Sequence, residues 1–163
     1  MNEKEARERF AAARVARLGT ADAEGRPHLV PVVFAVRDDT VYSAVDAKPK
    51  RTTSLRRLAN VAENPAVSLL VDHYEDDWER LWWVRADGRG RVLDGSVPEA
   101  ARAIELLRAR YPQQRATGAV LAVDVERWSG WAAGRLMSSG SSSAGSSSAD
   151  DRAGLGQLGE RSF

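Results

Sequence analysis

The chain has 163 residues, 43% of them apolar and 29% charged, with 24 cationic side chains set against 23 acidic ones and no cysteine. These are the proportions of one soluble globular domain, and they exclude a disulfide framework, a thiolate metal site and a cysteine nucleophile. The acids offset an arginine-rich cation set, so charge argues against nucleic-acid binding; with no run of about 18 apolar residues and no basic-then-apolar N-terminus, neither a membrane span nor a secretory signal is expected, and the expected location is cytoplasmic.

Asn2 with Glu5 three residues on reads as a helix cap, and Ala6, Phe10 and Ala13 give residues 3–13 a narrow apolar stripe. Extended segments follow at Val15–Thr20, Pro27–Val36 and Thr40–Val45, separated by polar turns at residues 22–25 and 37–39. In the second of these, His28, Val30, Val32, Phe34 and Val36 share one face and Leu29, Pro31, Val33 and Ala35 the other. Both faces are largely apolar, which predicts cover on both sides. Pro31 has no N–H for a ladder, which predicts a sheet edge, a bulge or an opening at that point.

A short helix is predicted over Ser54–Asn60, then a strand over Val67–His73 after the break at Asn64-Pro65. Residues Arg80–Leu93 read as a long strand that bends near Gly88 or Gly90. Ser96 and Glu99 have capping-box spacing ahead of an amphipathic helix that ends at Pro112. Val120–Trp128 alternates as a half-buried strand. Six strands, mostly sequential, with three helices predict a mainly β, antiparallel barrel with peripheral helices. From residue 138 the chain reads SSGSSSAGSSS and then a polar, glycine-rich stretch, so the expected division is a folded domain over residues 1–137 and a disordered tail over residues 138–163.

The densest chemical feature is Lys48-Pro49-Lys50-Arg51-Thr52-Thr53-Ser54-Leu55-Arg56-Arg57, with five cations, three hydroxyls and no acid, running into a helix start. Charged donors, hydroxyls and the free amides of a helix N-terminus together suit a phosphate group, whereas the plain alternative is a solvated basic turn. Five tryptophans fall in two clusters, and adjacent Trp82 and Trp83 must face opposite ways on a strand. One of the two therefore meets solvent, ligand, a partner or a covering helix, and a homodimer is the preferred reading. His28 and His73 read as structural, and the acids Asp72, Glu75, Asp76 and Asp77 as a solvated turn, so no metal site is predicted.

The order of Ala16-Arg17-Leu18-Gly19-Thr20, Gly25-Arg26-Pro27-His28-Leu29-Val30-Pro31-Val32-Val33-Phe34, Lys48-Pro49-Lys50-Arg51-Thr52, Asn64-Pro65, Asp77-Trp78 and Arg127-Trp128-Ser129-Gly130-Trp131 resembles the pyridoxamine 5'-phosphate oxidase-like split-barrel superfamily. Within it the chain is most similar to the actinobacterial branch that binds the deazaflavin coenzyme F420. The resemblance covers about residues 5–132. It implies a six-stranded split barrel that dimerises with cofactor sites between subunits. It also implies cofactor phosphate on Lys48, Lys50, Arg51 and Thr52, and the ring system along Pro31, Val32, Val33, Ser43 and Ala44. Trp78 resembles a tryptophan that packs near the cofactor. The implied reaction is hydride transfer from reduced deazaflavin to an electron-poor small-molecule acceptor, with a proton from solvent or from Tyr42, Tyr74 or His28. FMN chemistry on the same barrel and a non-catalytic deazaflavin carrier are the alternatives.

Overall fold

The computed structural model describes residues 1–46, 53–113 and 116–133. Lys48, Lys50, Arg51 and Thr52, together with the predicted tail, lie outside the described residues. In chain order the elements are α1 (Glu3–Ala12), β1 (Ala16–Ala21), β2 (Pro27–Val32), β3 (Ala35–Arg37), β4 (Thr40–Asp46), α2 (Thr53–Glu63), β5 (Ala66–His73), β6 (Trp82–Leu93), α3 (Pro98–Arg110) and β7 (Ala116–Ala132). A single 3-10 turn, Trp78–Arg80, sits in the β5–β6 hairpin.

The seven strands form one antiparallel sheet in the order β2-β1-β5-β6-β7-β4-β3. Its two edges, β2 and β3, are neighbours in sequence, joined only by Val33 and Phe34, so the sheet curls until its edges meet without a shared ladder. This is a split barrel, mainly β as the sequence predicts, but with seven strands among the described residues instead of six. The extra strand comes from the predicted run Pro27–Val36, which leaves one edge and enters the other: Val32 pairs with Ala16, whereas Val36 pairs with Val41. Pro31 is tolerated because β2 needs N–H donors on one side only.

Alternation along the strands separates an interior from an exterior. Leu18, Leu69, Val71, Val84, Ala86, Leu121 and Val123 point inward and are buried with Phe34. α1 closes this end of the barrel. Its capping box forms as predicted, with Asn2 Oδ1 accepting from Glu5 N and Glu5 Oε2 accepting from Asn2 N, both at 2.9 Å. Phe10 then packs on Phe34 at 4.9 Å and edge-on to Trp128 at 5.1 Å between ring centroids. A second apolar layer lies where α3 covers β3, β4 and β7: Tyr42, Ala35, Ala44, Val120 and Ala122 meet Ala100, Ala103 and Leu107.

Three expectations are corrected here. The half-buried pattern for Val120–Trp128 fails over Val120–Val123, all buried, because the barrel interior takes one side and α3 the other. β2 is covered on one side only, and Leu29 on its outer face is 69% exposed within a single chain. The Ser96–Glu99 capping box does not form: α3 starts at Pro98 after Val97, Ser96 donates to Asp94 at 2.6 Å, and Glu99 turns to Arg91 and Tyr42 instead. The bend predicted in β6 is present, since its register with β7 shifts at Asp87/Gly88 and a Cβ at Gly88 would collide with the Asp124 carbonyl.

Candidate cofactor site

The basic segment leaves the end of β4 at Asp46 and leads into α2 at Thr53, so its anchors fix the barrel end it serves. α2 lies against β1 and β6, with Leu58 and Val61 packed on the core, and the Val61 methyls fill the space a side chain at Gly90 would need. One turn of α2 carries polar groups inward. Asn60, buried, donates Nδ2 to Thr20 Oγ1 at 3.0 Å, and Thr20 stands opposite His28 in the β1–β2 ladder. Arg57, three residues before Asn60, shares that helix surface. The Nε2 of His28 and the Nε of Arg57 are buried with no hydrogen-bond partner among the described residues, and burial pulls the Arg57 pKa below its usual value. Two buried, unsatisfied nitrogens at the foot of a five-cation segment are groups that an acidic ligand oxygen would satisfy. Sequence reasoning counted Arg57 among the cations without assigning it to the site, because its burial follows from how α2 packs on β1 and has no local signal.

The remaining predicted residues separate into two kinds. Pro31 is exposed on edge strand β2 and Val33 is half-buried in the link to β3, so both border the split. Val32 is buried in the barrel interior. Ser43 and Ala44 are buried in β4, Ala44 against the α3 layer and Ser43 on the opposite face with Val41. Of the three proton-donor candidates, Tyr42 is committed, its hydroxyl donating to Glu99 Oε1 at 2.9 Å on the α3 side. Tyr74 is exposed in the β5–β6 hairpin.

Trp78 is 62% exposed on the 3-10 turn beyond His73. The eight residues of β5 separate that turn from the strand ends beside α2, which at about 3.4 Å per residue is roughly 25 Å. Trp78 and the start of β5, which follows the end of α2, are therefore at opposite ends of that strand.

Trp82 and Trp83 divide as strand geometry requires. Trp82 faces inward, with His73 stacked at 6.1 Å and the Arg9 guanidinium of α1 over its ring at 5.3 Å, so a helix of the same chain covers it. Trp83 faces outward directly opposite Trp131, which is 48% exposed. Ladder register puts Leu29, Pro31 and Leu70 on that same outer face. Between the apolar residues run Arg17–Asp72 at 2.8 Å and an Asp87 carboxylate contacted by Ser68, Arg85 and Arg127. Burial pushes Asp87 up, but those three hydrogen bonds outweigh it and hold the carboxyl below the usual range.

A sequence profile described as pyridoxamine 5'-phosphate oxidase matches residues 3–132. No curated protein matches the chain. Among solved structures, the conserved hypothetical protein Rv2991 of Mycobacterium tuberculosis is similar at 23% identity, covering 90% of this chain and 94% of that one with a TM-score of 0.67. A FAD-binding protein of Mesorhizobium loti is similar at 24% identity, with coverage of 80% and 92% and a TM-score of 0.61. HutZ, the heme storage protein of Vibrio cholerae, is similar at 16% identity, with coverage of 81% and 95% and a TM-score of 0.60. The split barrel and the profile spanning all the described strands agree: this chain belongs to the pyridoxamine 5'-phosphate oxidase family.

Proposed function

We propose that the chain is a homodimeric oxidoreductase that holds a phosphate-bearing flavin-type cofactor, coenzyme F420 in the first instance, and reduces an electron-poor small molecule such as an activated double bond or a quinone-like acceptor. The observation that carries the binding half of this reading is the two buried, unpartnered nitrogens, Arg57 Nε on α2 and His28 Nε2 on β2, opposite the Thr20 that α2 contacts through Asn60. They fit an acidic group delivered there by Lys48, Lys50, Arg51 and Thr52. When bound, the cofactor supplies the hydride chemistry. Pro31 and Val33 offer apolar surface at the split for its ring, with Val32 and Ser43 buried on the barrel-interior side and Ala44 buried under α3.

The roughly 25 Å that β5 sets between its hairpin, which carries Trp78, and the end of α2 favours a site completed by a second copy, with one chain holding the phosphate and the other presenting Trp78. The outer face bearing Leu29, Leu70, Trp83 and Trp131 supports such a pairing, because exposed aromatic and aliphatic side chains around a neutralised polar centre are the make-up of interface cores. With the Tyr42 proton held by Glu99 and His28 given to the acidic group, Tyr74 and solvent remain as proton donors to the acceptor.

A second reading, FMN or FAD in the same place, is favoured by the printed name of the Mesorhizobium loti protein, and a non-catalytic carrier by that of HutZ. Titrating the purified chain with F420, FMN, FAD and heme, followed by quenching of its tryptophan fluorescence, separates these readings. Micromolar or tighter binding of F420 alone, with turnover on an acceptor panel, is the expected result. Preference for FMN or FAD moves the chemistry to flavin. Tight binding without turnover makes the protein a carrier, and binding of none of them removes the reading.

A further inference from the structure

α3 does not lie flat on the β3–β4 hairpin. Between them opens a cavity of about 420 Å³, with Thr40 and Tyr42 on its sheet side, Ala103 and Leu106 on its helix side, and two arginines, Arg37 and Arg102, and two acids, Asp38 and Glu99, among its lining. That volume falls within the roughly 300–1,000 Å³ typical of small-molecule sites. It lies at the far end of β4 from Asp46, and none of its lining residues belongs to the proposed cofactor site.

We propose that this cavity binds a small hydroxy-carboxylate with an apolar body, its carboxylate taken by Arg37 and Arg102, its hydroxyl by the Tyr42 oxygen, and its body by Ala103 and Leu106. The charge comes first. Arg102 has no hydrogen bond or ion pair among the described residues, and Arg37 has one long contact, 3.8 Å to the solvent-exposed carboxylate of neighbouring Asp38. Two guanidiniums with free donors on one cavity match a carboxylate, which accepts in the planar geometry they offer.

The buried end of the cavity specifies the second group. Tyr42 is 7% exposed, and its one proton goes to Glu99 Oε1. Glu99 is gripped by Arg91 through two N–H groups at 2.8 and 2.9 Å. Arg91 in turn grips Asp124 at 2.6 and 3.0 Å, and Asp124 accepts from Thr40 Oγ1 at 3.1 Å. Burial first, then the Glu99 carboxylate that Tyr42 donates to, keep the phenol protonated, and its oxygen can still accept from a ligand in the cavity that Tyr42 lines. A ligand must therefore bring a donor. A hydroxyl on the ligand supplies that donor.

The test uses the isotope-labelled full chain and amide nitrogen–proton correlation spectra, titrated with para-hydroxyphenylacetate, phenylacetate and para-cresol. Expected are saturable shifts confined to amides of β3, β4 and α3, with para-hydroxyphenylacetate binding most tightly. Arg102→Gln, an exposed position, should weaken that binding about tenfold, as for loss of one charge-assisted hydrogen bond, with the melting temperature unchanged. Tyr42→Phe should abolish the preference for para-hydroxyphenylacetate over phenylacetate. The proposal is overturned by absence of saturation up to about 10 mM, by shifts centred elsewhere, by para-cresol binding as tightly as the acid, or by an Arg102→Gln chain that binds as the parent does. None of these readouts depends on the cofactor.

Discussion

The two apolar layers that the sheet separates are made of different material. Inside the barrel the packing is by large side chains, Phe10, Phe34, Leu18, Leu69 and Val84, with no charged group among them. Under α3 the layer is built mostly of alanine, Ala35, Ala44, Ala100, Ala103 and Ala122, and the helix is stitched to the sheet by Arg91, Glu99, Asp124 and Tyr42. Alanine buries little area, so the interior holds by burial and the α3 layer by close approach plus a polar cluster. The same small side chains leave room for the cavity beside Ala103.

This contrast can be broken most severely from the inside. Phe10→Ala removes a ring packed between Phe34 and Trp128 and should cost about 3–5 kcal/mol in urea unfolding; a loss below about 1 kcal/mol would mean that α1 is not part of the core. Arg51→Ala should leave unfolding unchanged while weakening cofactor binding by about 1.5–3 kcal/mol, and an unaltered titration would remove Arg51 from the site. Arg91→Met strikes the polar cluster and should cost about 1–2 kcal/mol at neutral pH, less than a buried network would, because its members are partly exposed.

That last variant also has a pH signature. Arg91 holds the Glu99 and Asp124 carboxyls below their usual range. A carboxyl with a lowered folded pKa contributes stability that is complete above its unfolded value, about 4, and is lost as pH falls through the folded value, because the unfolded chain then binds more protons. The parent should therefore lose stability steeply in acid and Arg91→Met less steeply; equal slopes would mean that the cluster does not set the acid limit. The smallest expected effect is that of ending the chain at Met137, which should move neither melting temperature nor cofactor affinity, since Ser/Gly-rich sequence has no apolar face to pack.

The barrel was legible because alternation, turn residues and the Asn2–Glu5 cap are local signals, and each element read from them is present within a few residues. What escaped was decided by neighbours distant in sequence. Nothing near Val120–Val123 announces that α3 will cover their second face, and nothing near Glu99 announces that Arg91 and Tyr42 will draw it from the Ser96 amide. At the candidate site, cation density marked residues 48–57 as chemical, but the buried isolation of Arg57 and His28 depends on how α2 meets β1. The Trp82/Trp83 split was a strict consequence of pleat geometry; which ring turned inward was not.

The place of β7 in the sheet has a consequence in time. Among the described strands it is the last to be made, yet it is the only ladder partner joining β6 to β4, and so the only bridge between the β2-β1-β5-β6 portion and the β4-β3 portion. Until β7 leaves the ribosome, the growing chain holds two sheet fragments, each with an open edge where β7 will sit. The interval before β7 docks is when the open edges of β4 and β6 are exposed to pairing with other chains.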